Sequence, residues 1–310
     1  MSLYKLIHDK ADVRLGFGKR LLRPQPRIDR GLQAPPRTAN SQIVGASFEY
    51  LLRFFLQRIN PKAWDTGWPA ERAVALIGLG PATAKSSDVP TISRHSKRLK
   101  AAAYLADAKR RQRAYLQSGE VTEDLLVAVH RLAHLDAANL SGPERVDWHA
   151  MSYMGPDDAA DLKALLQLVD VRTFTASRTC ILYPRLAAAE LVGGADPDLI
   201  LDDCVVDVRT TKDPRIDLRD FYQLVGYYLL LGLGGVNRPG GAPEQYPVNC
   251  IAIYFARFGL LWKVPVREIL PAGSMPDLTR WFVETACASN KKGPELLRAC
   301  VGPLAGHFHT

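Results

Sequence analysis

The residues of this 310-residue chain whose types and spacing best suit chemistry are Asp198 and Asp207. Pro197 to Leu201 and Cys204 to Arg209 are apolar-rich runs separated by Asp202-Asp203, and two turn-forming residues between such runs predict a tight hairpin. With that pair as the loop, Leu201 faces Cys204 and Asp198 faces Asp207. Side chains alternate along a strand, so Asp198, Ile200, Val205 and Asp207 share one face, and Arg209 joins them two residues on. Carboxylates directly opposite one another repel. Leu199, Val206 and Val208 mark strands buried enough for an unpaired charge to be expensive. Any one of these acids taken alone reads as a solvated residue near a turn. As a set they suit a hard divalent cation, Mg2+ or Mn2+, which takes one or two carboxylates and leaves its other positions to water and phosphate oxygens. Such an ion activates water and stabilises charge on a phosphate under attack.

Downstream, Asp217 and Asp220 precede the run Phe221, Leu224, Val225, Tyr228 and Leu229, whose spacing predicts a helix with one broad apolar face and acids near its start. Gln223 and Tyr227 stand one turn apart and are neighbours on its surface. Upstream, Phe48, Leu51, Leu52, Phe55 and Leu56 predict a buried stripe on a helix over 46–58, ended by Asn60-Pro61.

Together these residues resemble the PD-(D/E)XK nuclease superfamily. Pro197-Asp198, then Asp207-Val208-Arg209, resembles its signature, and Gln223 with Tyr227 resembles the Q-x-x-x-Y helix motif of the branch that includes lambda-type exonucleases and recombination helicase-nucleases. The likeness covers about 181–255, extended upstream by Gly45 to Arg53. It implies a restriction-endonuclease-like core, a metal site held by Asp198, Asp207 and Glu49, and DNA-backbone contacts from Gln223 and Tyr227. Asp196 has the same parity as Asp198 and fits a variant of the second motif. Asp198 is preferred because it falls opposite Asp207. The family's third motif residue is lysine, and here it is Arg209. Arginine stays protonated and cannot act as a base, though it can hold a phosphate oxygen or a water. Lys212 has the wrong parity to replace it unless the chain bulges at Thr210-Thr211.

The formal charge of +8 is unevenly spread. From Arg14 to Arg37 seven basic residues face one acid, Asp29, among several prolines, which predicts a basic, partly irregular arm over 1–40. A second cluster, from Arg94 through Lys97, Arg98 and Lys100 to Arg113, falls on a predicted helix over 93–117 with Ala101, Ala102, Leu105 and Ala108 on its apolar side. Charge runs are often no more than solvated faces. Beside a phosphodiester-cleaving motif, Arg94, Lys97, Arg98, Lys100 and Lys212 also make sense as phosphate contacts whose affinity falls steeply with salt.

The remaining pattern predicts helices over 122–138 and 156–168, strands at 180–183, 249–257 and 260–264, and one or two C-terminal helices. The fold class is α/β: a mixed central sheet flanked by helices, in one nuclease-like domain over 41–310 with a helical insertion at about 60–170. His130 and His134, four apart on one predicted helix, lack the glutamate of the metalloprotease pattern and read as packing residues, while His307 and His309 read as a frayed end. No apolar run is long enough to span a bilayer, and the charged first fifteen residues do not read as a secretory signal. Five scattered cysteines without C-x-x-C spacing argue against a zinc or iron–sulfur site and suggest a reducing cytoplasm. Two functions follow: a metal-dependent deoxyribonuclease of repair, recombination or defence against foreign DNA, or a nuclease fold silenced at Arg209 that binds DNA or scaffolds a protein partner. An unrelated α/β protein with a chance pair of acids ranks below both.

Overall fold

The computed structural model describes residues 2–24, 28–79 and 91–290, with 292 and 295. In chain order its elements are α1 (Leu3–Asp9), α2 (Ala11–Gly18), α3 (Ser41–Ile59), β1 (Trp64–Asp65), α4 (Pro69–Leu79), α5 (Thr91–Ser118), α6 (Glu123–Ser141), α7 (Pro156–Gln167) and α8 (Val171–Phe174). There follow β2 (Cys180–Leu182), β3 (Leu199–Leu201), β4 (Cys204–Arg209), α9 (Leu218–Gly234), β5 (Cys250–Phe255), β6 (Leu260–Pro265), α10 (Val266–Ile269) and α11 (Met275–Ala288). His307, His309, Cys300 and any helix beyond α11 lie outside the described residues.

Six strands form one mixed sheet in the order β1-β2-β3-β4-β5-β6. The β1–β2 and β4–β5 pairs are parallel and the others antiparallel. The hairpin has the expected two-residue loop: Leu201 pairs with Cys204, Ile200 with Val205 and Leu199 with Val206. Asp202 takes the left-handed conformation (φ 53°) that such a loop requires, and its carboxylate accepts hydrogen bonds from the backbone N–H groups of Ser177, Arg178 and Thr179.

Strand alternation divides the core in two. Leu182, Leu199, Leu201, Val206, Val208 and Tyr254 belong to the cluster that includes α3, α6 and α7. Ile181, Ile200, Val205, Ile251, Ile253 and Phe255 belong to the cluster of α1, α2, α9 and α11. Asp207 and Arg209 have the second parity, and Arg209 reaches Asp220 on α9, as the hairpin predicts. Asp198, just before β3, instead lines a small cavity with Glu49, Leu52 and Leu56 of α3.

The N-terminal segment departs from a simple basic arm. Ser2 caps α1, and Leu3, Leu6, Ile7, Val13 and Phe17 are buried in the second cluster, so among the described residues before α3 only 19–24 and 28–40 run irregularly. Gly226 makes this packing possible, because a Cβ there would stand 2.9 Å from Leu3 Cδ1.

Among the described residues, 60–79 and 91–170 are mainly helical, apart from β1. They include α4, a helix that contains Pro69 and Gly78. Pro69 opens that helix at a position that needs no N–H. Glu71 reaches back to the N–H of Trp68 (3.0 Å), and Tyr50 Oη accepts from the N–H of Ala70 (3.0 Å). α4, α5 and α6 pack on one another and on α3. α3 is therefore buried well beyond its predicted stripe, with Tyr50 and Phe54 fully enclosed and Phe55 only half-buried. On α5, Ala101 and Ala108 are buried but Ala102 is exposed.

A fully buried ion pair fixes the end of β4. Arg257 meets both oxygens of Asp161 on α7 (2.7 and 3.0 Å) and donates to the carbonyls of Ala34 (3.0 Å) and Thr210 (2.8 Å). Cys204 and Cys250, 46 residues apart, form a disulfide, which their spacing did not suggest. They meet because β4 and β5 run parallel with these two residues in register. Among the described residues, no helix is long and apolar enough to cross a membrane.

Candidate active site

The hairpin end gathers the acids that the sequence singled out. Asp198 lies just before β3, where its backbone carbonyl accepts from Tyr183 N–H and its Oδ2 accepts from Val208 N–H at 2.7 Å. Asp207 is buried on β4. Glu49 comes from α3, one turn beyond Gly45, where a Cβ would stand 2.7 Å from Thr210 Oγ1; the missing side chain brings that helix close to the strand end. Burial pushes the Glu49 carboxyl up to about 7, with the charge of Asp207 adding to the rise and the hydrogen bond from Tyr183 opposing it. Burial and the charges of Glu49 and Asp207 likewise raise Asp198 well above the usual carboxylate range. The charge of Asp207 therefore opposes ionisation of both Glu49 and Asp198. Asp196 stands apart, half-exposed and paired with Arg72 of α4 at 3.2 Å.

Arg209 closes the outer side of this group. Its Nε contacts Asp207 Oδ2, and a terminal nitrogen lies 3.1 Å from Asp220 Oδ1 on α9. The charge of Asp207 raises its proton affinity further, so it is a fixed cation. The two acids at the start of α9 have different roles. Asp217 is the cap, accepting from Arg219 N–H at 2.7 Å, and Asp220 is instead an Arg209 partner. Gln223 and Tyr227 are buried, and Gln223 Nε2 donates to Tyr227 Oη at 2.6 Å. Burial raises the Tyr227 phenol well above its ordinary value, and the charges of Asp207 and Asp198 add to the rise. Gln223 Oε1 is buried without a hydrogen-bond partner among the described residues.

Two members were not foreseen. Tyr183, just past β2, donates from its Oη to Glu49 Oε2 (3.0 Å) and holds a left-handed φ of 51°, which costs about 1–3 kcal/mol for a residue with a side chain. Arg53 lies 3.7 Å above its ring, 2% exposed, and none of its guanidinium nitrogens has a hydrogen-bond partner among the described residues. Its charge favours the ionised forms of Glu49 and Asp136. The available signal was position, since Arg53 is one turn beyond Glu49 on the same helix.

No protein family, curated protein or solved structure matches this chain. The reading of the site accordingly rests on its own geometry.

The other predicted contacts are dispersed. Lys212 is exposed on the segment after β4, past the regular strand. Lys97, Arg98 and Lys100 are exposed on α5, which packs on α3, α4 and α6; Arg94 has its backbone in α5 and its side chain outside the described set. Further along α5, Lys109, Arg110 and Arg111 are paired with Glu71, Asp107 and Asp124. His130 and His134 are buried with rings 4.7 Å apart, a packing arrangement as expected.

Among the described residues, no three Asp, Glu, His or Cys side chains are arranged around a common point as metal ligands. A magnesium site needs only one or two protein carboxylates, the rest being water and substrate oxygens. Asp198 and Asp207, with Glu49 behind them, supply hard oxygen donors of that type. Their mutual repulsion is what a bound dication would relieve.

Proposed function

We propose that the chain is a metal-dependent nuclease, built on a restriction-endonuclease-like core, that hydrolyses phosphodiester bonds in DNA. The observation that carries this reading is the convergence of Glu49, Asp198 and Asp207 at one hairpin end, with Arg209 at its mouth. Asp198 and Asp207 would hold Mg2+ or Mn2+, and Glu49 would complete the site. The ion would supply an activated water and charge stabilisation at the phosphate. Arg209 holds a non-bridging phosphate oxygen and offsets developing charge; as a fixed cation it takes no proton. The Gln223–Tyr227 pair supports the acids from α9.

A second reading has its own observation. Arg209 is shared between Asp207 and Asp220, so a guanidinium already neutralises the acid that a metal would need, which favours a silent fold that binds DNA or scaffolds a partner. Digestion of linear and circular DNA with Mg2+ or Mn2+ separates the two. Cleavage by wild type that is lost in Asp207→Ala and in Asp198→Asn supports the nuclease. Equal inactivity of all three, with salt-sensitive binding retained, supports the silent fold. Arg209→Lys, which offers Asp207 and Asp220 a point charge in place of a fork, is expected to raise the cleavage rate.

A further inference from the structure

An open groove of about 1650 Å³ adjoins Arg209, walled by α2 and by the segment that leads from β4 into α9. Its cations are Arg14, Lys19, Arg23, Arg209, Arg215 and Arg219. Each acid in the lining is already engaged: Asp213 with Arg215 (2.7 Å), Asp217 with the N–H of Arg219 (2.7 Å) and Asp220 with Arg209 (3.1 Å). Arg14 is spent on the carbonyls of Ile7 and His8 (both 2.7 Å). Lys19, Arg23 and Arg219 are exposed and make no ion pair or side-chain hydrogen bond among the described residues. Three uncompensated cations thus line a concave surface that ends at Arg209, whose guanidinium separates the groove from the buried acids.

Resting on the reading of the adjoining acids as a nuclease site, we infer that Lys19, Arg23 and Arg219 form a phosphate track that delivers the nucleic-acid backbone to Arg209. The aromatic rings in the lining, Tyr222 and Phe255, are 6% and 1% exposed, so the groove offers no platform for base stacking. Recognition is of backbone charge and independent of sequence. This surface comes from the α2 end and the approach to α9, neither of which is the α5 cluster that the sequence favoured.

The test is fluorescence anisotropy with labelled oligonucleotides in EDTA, so that binding is read without hydrolysis, across 50–200 mM salt. Neutralising three phosphate contacts in Lys19→Gln/Arg23→Gln/Arg219→Gln is expected to flatten the slope of log K against log salt by about 2.7 on duplex and about 2.1 on single strands. On duplex those contacts alone account for roughly a 40-fold fall in affinity over that range. A circular dichroism melt matching wild type shows that the variant is folded; Lys19→Gln and Arg219→Gln singly, each flattening the duplex slope by about 0.9, serve if the triple variant is not. An unchanged slope overturns the track. So does a slope abolished by Lys97→Gln/Arg98→Gln/Lys100→Gln but not by the groove triple, or wild-type binding to phosphatidylserine vesicles with none to DNA. Groove-dependent binding without metal-dependent cleavage supports the track while refuting the nuclease; cleavage with groove-independent binding does the reverse.

Discussion

Replacing Asp161 by asparagine is the sharpest test of how the site is held in place. The side chains of Arg257 and Asp161 are fully buried, and the guanidinium makes its four hydrogen bonds to Asp161 Oδ1, Asp161 Oδ2, Ala34 O and Thr210 O. Asp161→Asn preserves shape but removes the countercharge and turns an amide group toward the cation. An uncompensated buried charge costs about 3–5 kcal/mol. That is a large part of the roughly 5–15 kcal/mol that holds a typical domain together. At roughly 2–4 °C per kcal/mol for a large domain, Tm should fall by about 6–20 °C. The double variant Asp161→Leu/Arg257→Met removes both charges and should recover part of the loss. It stays below wild type because the Ala34 and Thr210 carbonyls lose their donor, at about 1–3 kcal/mol each. Urea unfolding followed by tryptophan fluorescence measures the difference. A single-variant loss under about 1 kcal/mol, or a double variant less stable than the single, would refute the reasoning. Thr210 follows Arg209 directly, so the single variant should also weaken any activity that depends on Arg209.

Asp136 accepts from Tyr50 Oη at 3.1 Å, and burial pushes its carboxyl up to about 8. Its folded value exceeds its unfolded one, so the native state binds the extra proton and this group's stabilisation is lost as pH rises from about 4 through 8. Asp136→Asn should therefore gain on wild type at pH 9 relative to pH 5 in parallel melts; a constant difference would argue against it. His134 has the opposite sign: burial and neighbouring His130 lower it to about 4, so its contribution is present above pH 6.5 and fades as pH falls toward 4. His134→Gln should flatten the acid limb of the stability profile measured by chemical unfolding. For the Cys204–Cys250 bond, closing a loop of 46 residues is worth about 4 kcal/mol by chain entropy, so a reductant should lower the unfolding midpoint of wild type but not of Cys204→Ser.

The hairpin was legible because two local signals agreed: a two-residue turn at Asp202-Asp203 and strict alternation on either side. That fixed the face shared by Asp207 and Arg209 without any long-range knowledge. The motif helix was legible from its period, yet the role of Asp220 was not, because an acid near a helix start suits a cap or a cation equally well. α4 was hidden by Pro69, which breaks helices everywhere except at their first turn. α1 and α2 were hidden by charge, although Leu3, Leu6 and Ile7 carry helical spacing. Nothing in the local sequence marks Arg257 or Arg53 as buried. Their burial depends on acids and rings 96 and 130 residues away in the chain, and no local pattern encodes that.

The Arg257 cluster also bears on how the chain divides. It joins the irregular N-terminal segment through Ala34, the insertion through Asp161 and the motif strand through Thr210. A version of the chain trimmed to its sheet and motif helices would leave a buried guanidinium without its anion and uncover Tyr50 and Phe54 on α3. Both α7 and the segment before α3 are thus tied to the end of β4 by one buried cation. Contacts this distant in sequence require long loops to close before they stabilise anything, so holding Thr210 and Arg209 in place this way raises the contact order of the chain and slows its folding.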